Sequence, residues 1–397
     1  MNVLYLSYTG LLEPLGQSQV LAYLRILARE HRITLVTFEK AEDMADAEAV
    51  ASLRAVCEQS AIAWQPRRYH RRPRVISTVY DLGVFVWVAL WQALKTRADL
   101  IHARSYIPTF VALLVGGLTG KPFIFDMRAF WPDELVAAGR MKSGGAMFRL
   151  VKGVERLCLR RALAVVSLTE AGVDHMRAVY GAAVKDARFM VIPTCVDLDK
   201  FQPSSKAGGA LTTVGSVGSV LSGWFRFEWL MAFFKALAEA EPSVRMRIVT
   251  REDEGLIRAR AEQAGIPAER LEVFGTPSSR VPEAIADLSA AAMFFETGVA
   301  KLGSCPTRMG EILATGLPVV ANPGVGDVGE IIRRYGVGVL VEAASPEAMR
   351  QAVGELKALL TDPELPGRCR AAAESWFSLE RGAQCYGELY ALAKRRG

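Results

Sequence analysis

Apolar residues along this chain fall into short dense runs, separated by longer stretches in which they recur every three to four positions. The runs read as buried strands and the stretches as amphipathic helices, and their regular alternation is the pattern of a parallel α/β sheet. In the first half, strands are expected at Val3–Ser7, Ile33–Phe38, Leu100–Ala103, Phe123–Asp126, Ala164–Leu168 and Met190–Ile192. A second set is expected at Leu211–Gly215, Arg245–Thr250, Leu271–Phe274, Ala292–Phe295, Pro318–Ala321 and Val337–Val341. Two comparable sets argue for two similar domains, 1–195 and 210–376. The stretch IPTCVDLDKFQPSSKAGG, 192–209, carries two prolines and a Gly-Gly that interrupt all periodicity, so 196–209 reads as the linker. The last helical pattern, with Tyr386, Leu389, Tyr390 and Ala393 on one side, has no strand left to serve. Residues 377–397 are therefore expected to pack back on the first domain.

A length of 397 residues is too great for one ordinary core and suits two Rossmann-sized halves. A mean hydropathy of +0.19 leans apolar for a globular protein, which points to some apolar surface. The net charge of +6 suits an anionic partner: a diphosphate, an anionic lipid or a nucleic acid. The six cysteines are scattered without a CxxC pair or a tight Cys/His cluster, which argues against zinc and for a reducing, cytosolic compartment. The opening apolar run, VLYL, is too short for a secretory segment and reads as a first strand, so export is not expected.

The strongest local signal is GVAKLGSCPTRMGEILATGLPVVANPGVGD, 298–327. Pro306 stands near the start of a helix that Gly316 and Pro318 end. Met309, Ile312 and Leu313 form its buried stripe, while Ser304, Thr307 and Glu311 project from the other face. Free N–H groups and the positive end of the helix dipole would meet a diphosphate, with Thr307 donating to it and Lys301 and Arg308 neutralising it. One turn deeper, Glu311 can accept hydrogen bonds from a ribose diol. The competing reading is a solvated helix with an ordinary surface charge pair. Two look-alikes are set aside. Gly324 to Gly329 spells G-x-G-x-x-G, but after the fifth strand of its set, and Asp197-Leu198-Asp199 spells DxD on the linker with no third ligand near by. No metal is inferred.

These segments together resemble the family 4 glycosyltransferases of the GT-B fold. SYTGLLEPLGQSQVLAYLRILA (7–28) is similar to their opening glycine loop and first helix, and IPTCVDLDKF to their interdomain segment. PTRMGEILATGLPVVA is similar to their donor-site helix and following strand, and FSLERGAQCYGELY to their C-terminal cross-over helix. The resemblance implies an α/β protein with two Rossmann-like domains facing across a cleft and a C-terminal helix returning to the first. It implies transfer of a sugar from a nucleotide donor, a UDP- or GDP-sugar, to a glycan or lipid-linked acceptor in cell-envelope or exopolysaccharide synthesis. Configuration would be retained, and neither metal nor other cofactor would be needed. A GT-B epimerase or hydrolase, or a scaffold that has lost turnover, is the alternative.

Residue by residue, the resemblance makes Glu311 the second glutamate of the family's E-x7-E pattern, with Gly303 where the first would stand. The family's diphosphate cations follow the first strand of the second domain, where Arg226 is the one cation here, so Lys301 and Arg308 are expected to carry more of that charge. Gly16 would let backbone N–H groups approach the phosphates or the reacting sugar. IHARS and FDMRAFWPDE bring His102, Arg104, Asp126 and Arg128 to strand ends where acceptor and sugar should meet. Asp126 stands where the family often has a histidine. A structural ion-pair network explains these four equally well.

The block RRYHRRPR, 67–74, precedes the apolar stretch VISTVYDLGVFVWVALWQALK. That stretch is about long enough to span a bilayer, but Asp81 interrupts it and the next strand must still join the same sheet. Five arginines beside Tyr80, Phe85, Trp87 and Trp91 instead suit peripheral contact with an anionic membrane, on the inner face of the cytoplasmic membrane. A buried domain helix after a solvated loop is the plainer reading. Nucleic acid is disfavoured, since aromatics are not interleaved with dispersed basic strands.

Overall fold

The structure, a computed structural model, describes residues 1–70, 74–203 and 209–394, and for 74–76 the backbone alone. The chain divides into two compact units, Met1–Pro193 with Leu379–Gly397, and Thr194–Ser378. The first is built on seven parallel strands: β1 (Asn2–Ser7), β2 (Arg32–Glu39), β3 (Ile62–Arg68), β4 (Leu100–Arg104), β5 (Phe123–Asp126), β6 (Ala164–Ser167) and β7 (Phe189–Val191). The second has six: β8 (Thr213–Val217), β9 (Arg245–Val249), β10 (Leu271–Phe274), β11 (Ala290–Met293), β12 (Val319–Ala321) and β13 (Gly338–Leu340). Their orders, β3-β2-β1-β4-β5-β6-β7 and β10-β9-β8-β11-β12-β13, are the same doubly wound arrangement, which reverses direction at β1/β4 and at β8/β11. The fold is thus two Rossmann-like α/β units, as expected for the GT-B class.

The strand that hydrophobic pattern missed is β3. Its sequence, IAWQPRR, carries a proline and two arginines, and it survives as a strand because it lies at the sheet edge and pairs with β2 alone. Arg67 and Arg68 therefore end a strand instead of opening a loop, while Arg71 and Arg72 lie outside the described residues.

The helices used below are α1 (Ala22–Leu27), α2 (Arg74–Lys95), α3 (Tyr106–Thr119), α4 (Ala146–Arg161), α5 (Thr307–Ala314) and α6 (Leu379–Lys394). Helix α6 packs on α1 within the first unit. It buries Tyr386, Leu389, Tyr390 and Ala393, the stripe read from sequence. Of the segment read as linker, Val196, Leu198 and Phe201 are buried in the second unit's core. There Val196 N–H donates to the Phe377 carbonyl at 2.7 Å, and Arg370 donates to the Leu198 and Phe201 carbonyls.

Among the described residues, Ser77–Lys95 is long and apolar enough to cross a membrane, with mean hydropathy 1.3. It connects two strands of one sheet, β3 and β4, and packs on α3, so it serves as a crossover helix. Asp81 does not break it, because its carboxylate is buried and accepts from the His70 N–H at 2.9 Å, from the Tyr8 hydroxyl at 3.4 Å, and meets His70 Nδ1 at 2.6 Å. The opposite stripe, Tyr80, Trp87, Trp91 and Leu94, faces outward, with Trp87 67% and Trp91 55% exposed.

Candidate functional site

In the second unit, a cluster forms where the loops after β8 and β11 meet the start of α5. Met309, Ile312 and Leu313 bury one side of α5, and Pro306 precedes its first turn without a side-chain cap, leaving N–H groups of that turn free. Arg308 lies against the edge-to-face pair of Phe225 and Phe295, its guanidinium carbon 5.3 and 5.2 Å from their centroids. One of its nitrogens donates to the Ser219 carbonyl at 3.0 Å, and Nη1 has no partner among the described residues. Burial lowers its pKa to about 10, with Glu311 and Glu252 opposing the shift. At Gly218 φ is +87°, a conformation strained for any residue with a side chain, and a Cβ there would sit 2.8 Å from an Arg308 nitrogen.

One turn along α5, burial raises the pKa of Glu311 although Arg308 and Lys200 pull it down. Lys301 is buried, and its Nζ lies 3.8 Å from the Trp224 ring centroid. Ser304 Oγ turns back to the Ala300 carbonyl at 3.4 Å, and Thr307 opens α5. Arg226 is otherwise engaged: it donates to Glu296 at 3.3 Å and Thr297 at 3.1 Å and covers the Trp229 ring. Sequence reading overlooked Glu252, whose carboxylate accepts from the Val220 and Leu221 N–H groups at 2.6 and 2.9 Å and so fixes the loop against Arg308.

The first unit gathers its four polar residues at the C-terminal ends of β4 and β5. Register sets Arg104 beside both Ser7 and Asp126, and His102 beside Tyr5. Asp126 is 1% exposed, with His102 Nε2 at 3.6 Å, Arg104 Nη1 at 3.9 Å and Arg128 Nη1 at 3.4 Å. Burial alone would raise its pKa, but Arg128 above all, then His102 and Arg104, holds the carboxyl well below the usual carboxylate range. Helix α6 completes the cluster: Tyr390 OH lies 2.7 Å from His102 Nδ1, and Tyr386 OH accepts from Arg128. Arg128 also donates to Gln19 at 3.1 Å. Burial lowers the pKa of His102, against the pull of Asp126.

Gly16 is fixed by packing. A Cβ there would lie 2.1 Å from the Gly10 carbonyl, so the glycine lets the first helical turn sit on the preceding loop. That loop is held by Glu39, which accepts from the Leu11 and Leu12 N–H groups at 2.8 and 3.1 Å. Among the described residues no group of three or more His, Cys, Asp or Glu is placed to hold a metal ion.

Residues 17–200 match the family described as Glycosyltransferase Family 4, and residues 212–358 the one described as Glycosyl transferases group 1. The chain belongs to the family 4 glycosyltransferases. Solved structures share this glycosyltransferase's fold from end to end. A glycosyltransferase from Rickettsia africae ESF-5 has 14% identity and a TM-score of 0.72, over 100% of this chain and 99% of that one. Sucrose-phosphate synthase from Thermosynechococcus elongatus has 14% identity and a TM-score of 0.69, over 100% of both. Anabaena Alr3699/HepE, in complex with UDP-glucose, has 17% identity and a TM-score of 0.67, over 98% and 99%. No curated protein matches the sequence.

The buried cluster of the first unit makes a stability prediction for this glycosyltransferase. Asp126→Asn leaves two buried guanidinium groups without their anion and should cost about 3–5 kcal/mol in urea unfolding at neutral pH. Because the folded pKa is depressed, this contribution is present above the unfolded value of about 3.9 and fades only as pH falls through the lower folded value. An Asn variant as stable as wild type at pH 7 would contradict the ion-pair assignment.

Proposed function

We propose that this enzyme transfers a hexosyl group from a UDP-sugar to a lipid-linked or glycan acceptor of envelope or exopolysaccharide synthesis, with retention and without a metal ion, at the inner face of an anionic membrane. The observation that carries the donor reading is the start of α5. Uncapped N–H groups, an Arg308 nitrogen without a partner among the described residues and a carboxylate of raised pKa, Glu311, stand within one helical turn. The UDP-glucose held by the HepE structure supports uridine as the base.

In this reading the diphosphate lies against the α5 N-terminus and Thr307, with Ser304 beside it, and Glu311 accepts from the ribose diol. The bond from the anomeric carbon to the diphosphate oxygen breaks while the acceptor oxygen bonds to the same face. The acceptor proton passes to the departing phosphate oxygen. Arg308 and Lys301, both in low-dielectric surroundings, stabilise the charge that grows on the leaving group. Lys301 and backbone groups near Gly303 take the place of the missing first glutamate. Arg226, already paired with Glu296, supports Trp229 and that loop. Asp126 acts by holding Arg104, Arg128 and His102 in position for the acceptor.

A thermal-shift panel of UDP-, GDP-, ADP- and CMP-sugars should show selective stabilisation by UDP-sugars, since a ligand that binds only the folded state raises Tm by mass action. Glu311→Ala should weaken that binding by about 1.5–3 kcal/mol while leaving the fold intact, and unchanged affinity would remove Glu311 from the site. Transfer should survive EDTA. Loss of activity that Mg²⁺ or Mn²⁺ restores would mean a metal carries the diphosphate charge instead.

The membrane part rests on Arg67 and Arg68 at the end of β3 and on the outward stripe of Trp87 and Trp91 along α2. Basic residues near an anionic surface contribute about 1 kcal/mol each. The protein should sediment with anionic but not zwitterionic vesicles, less so at high salt. Changing Arg67, Arg68, Arg71, Arg72 and Arg74 to glutamine should release it with UDP binding intact. A mutant that sediments like wild type would leave this block no part in membrane contact.

A further inference from the structure

The first unit contains a cavity of about 270 Å³ that the donor chemistry does not use, enclosed by α2, α3, β5 and α4. Ile107, Phe110, Phe125, Trp131, Val151 and Val154 are among the residues that line it. The polar groups that reach it are engaged elsewhere. Glu155 accepts from Tyr106 OH at 2.9 Å and Lys152 Nζ at 2.8 Å, Thr109 Oγ1 donates to the Ser105 carbonyl at 2.6 Å, and Tyr8 OH donates to Asp81. Cys158 is a neutral thiol, its pKa pushed up by burial to about 12. Nothing here recognises a sugar or a base. The volume is nearly twice that of an engineered apolar cavity of roughly 150 Å³ that stays dry and takes up benzene.

The surface at the mouth suggests what enters. Around α4, Val151, Val154 and Cys158 face the cavity, and Leu150, which also lines it, is 62% exposed. Leu157 stands exposed on the same edge of the helix, and the next positions round are Arg149, Arg156 and Arg160, all exposed. One side of a single helix therefore passes from apolar cavity, through exposed leucines, to a row of arginines. That sequence of surfaces complements a molecule with a hydrocarbon chain attached to an anionic head.

The geometry points to a binding site for one aliphatic chain of an anionic amphiphile, with the chain in this cavity and a phosphate at the α4 arginines. A phosphate-linked lipid acceptor belongs to this class. The site rests on the reading under Proposed function only in treating that amphiphile as a substrate.

Straight-chain alkyl phosphates, titrated calorimetrically below their micelle concentrations, provide the test. From hexyl to decyl phosphate the affinity should rise about fourfold per methylene until the cavity is full, and then level off. Val154→Trp should abolish that dependence. Arg149→Gln with Arg156→Gln should weaken every member by a similar factor and keep the increment. In wild type, a decyl phosphate brominated at its far end should quench tryptophan fluorescence, and Trp131→Phe should remove most of that quenching. This arm decides the matter even if Val154→Trp does not fold. Affinity independent of chain length, or quenching that persists in Trp131→Phe because the chain lies on Trp87 and Trp91, would overturn the proposal and leave only adsorption to the outer surface. UDP titrated into the same samples reports on the donor site separately, so failure of one reading is distinguishable from failure of the other.

Discussion

The reversal of winding at the β1/β4 and β8/β11 pairs is the constraint from which the rest follows. Connections leave these neighbouring strands towards opposite faces of the sheet, so the loops beyond their C-terminal ends part and a crevice opens there. A parallel sheet covered on both faces has few other places for charge. The first unit uses its reversal for Arg104 and, one strand further on, Asp126. The second uses it for the Gly218 loop and the segment that leads to Arg308. In both, charged groups gather towards the C-terminal ends of the strands that flank the reversal.

The two clusters differ in how their charges are balanced. Around Asp126, two guanidinium groups, an imidazole and two tyrosine hydroxyls surround one carboxylate, and burial is outweighed by attraction. At α5 the balance runs the other way. Arg308 and Glu311 each shift towards neutrality because burial exceeds what the pair gives back. An arrangement that leaves a cation and an anion both under-compensated is a poor way to stabilise a fold and a good way to receive a ligand bearing hydroxyls and negative charge.

Much of this was legible because period and turn chemistry agree locally. All six strands of the second unit, the α5 stripe and the inward face of α6 follow from the spacing of apolar residues. β3 was not legible, since Pro66 and two arginines are tolerated only at an edge, and edge position is a property of the sheet. Arg226 was legible as the one cation after the first strand of the second domain but not as a paired one, because Glu296, seventy residues away, becomes its neighbour only when β11 is in place. Glu252 and Glu39 hide for the same reason. Each is one acid among many until a distant loop turns its N–H groups towards it. Gly16 was legible as necessary, but packing against Gly10 supplies a reason for it that pattern alone does not reveal.

Asp81 has a consequence for how the chain is made. Until β4 has been synthesised and added to the sheet, the nineteen-residue apolar stretch Ser77–Lys95 of α2 has no finished core to join. A carboxylate in that stretch makes insertion costly, whereas in the finished fold the same carboxylate is enclosed by His70 and Tyr8. The charge that makes this segment a poor membrane span is thus the one that ties it to its own sheet, while Trp87 and Trp91 remain on the outside.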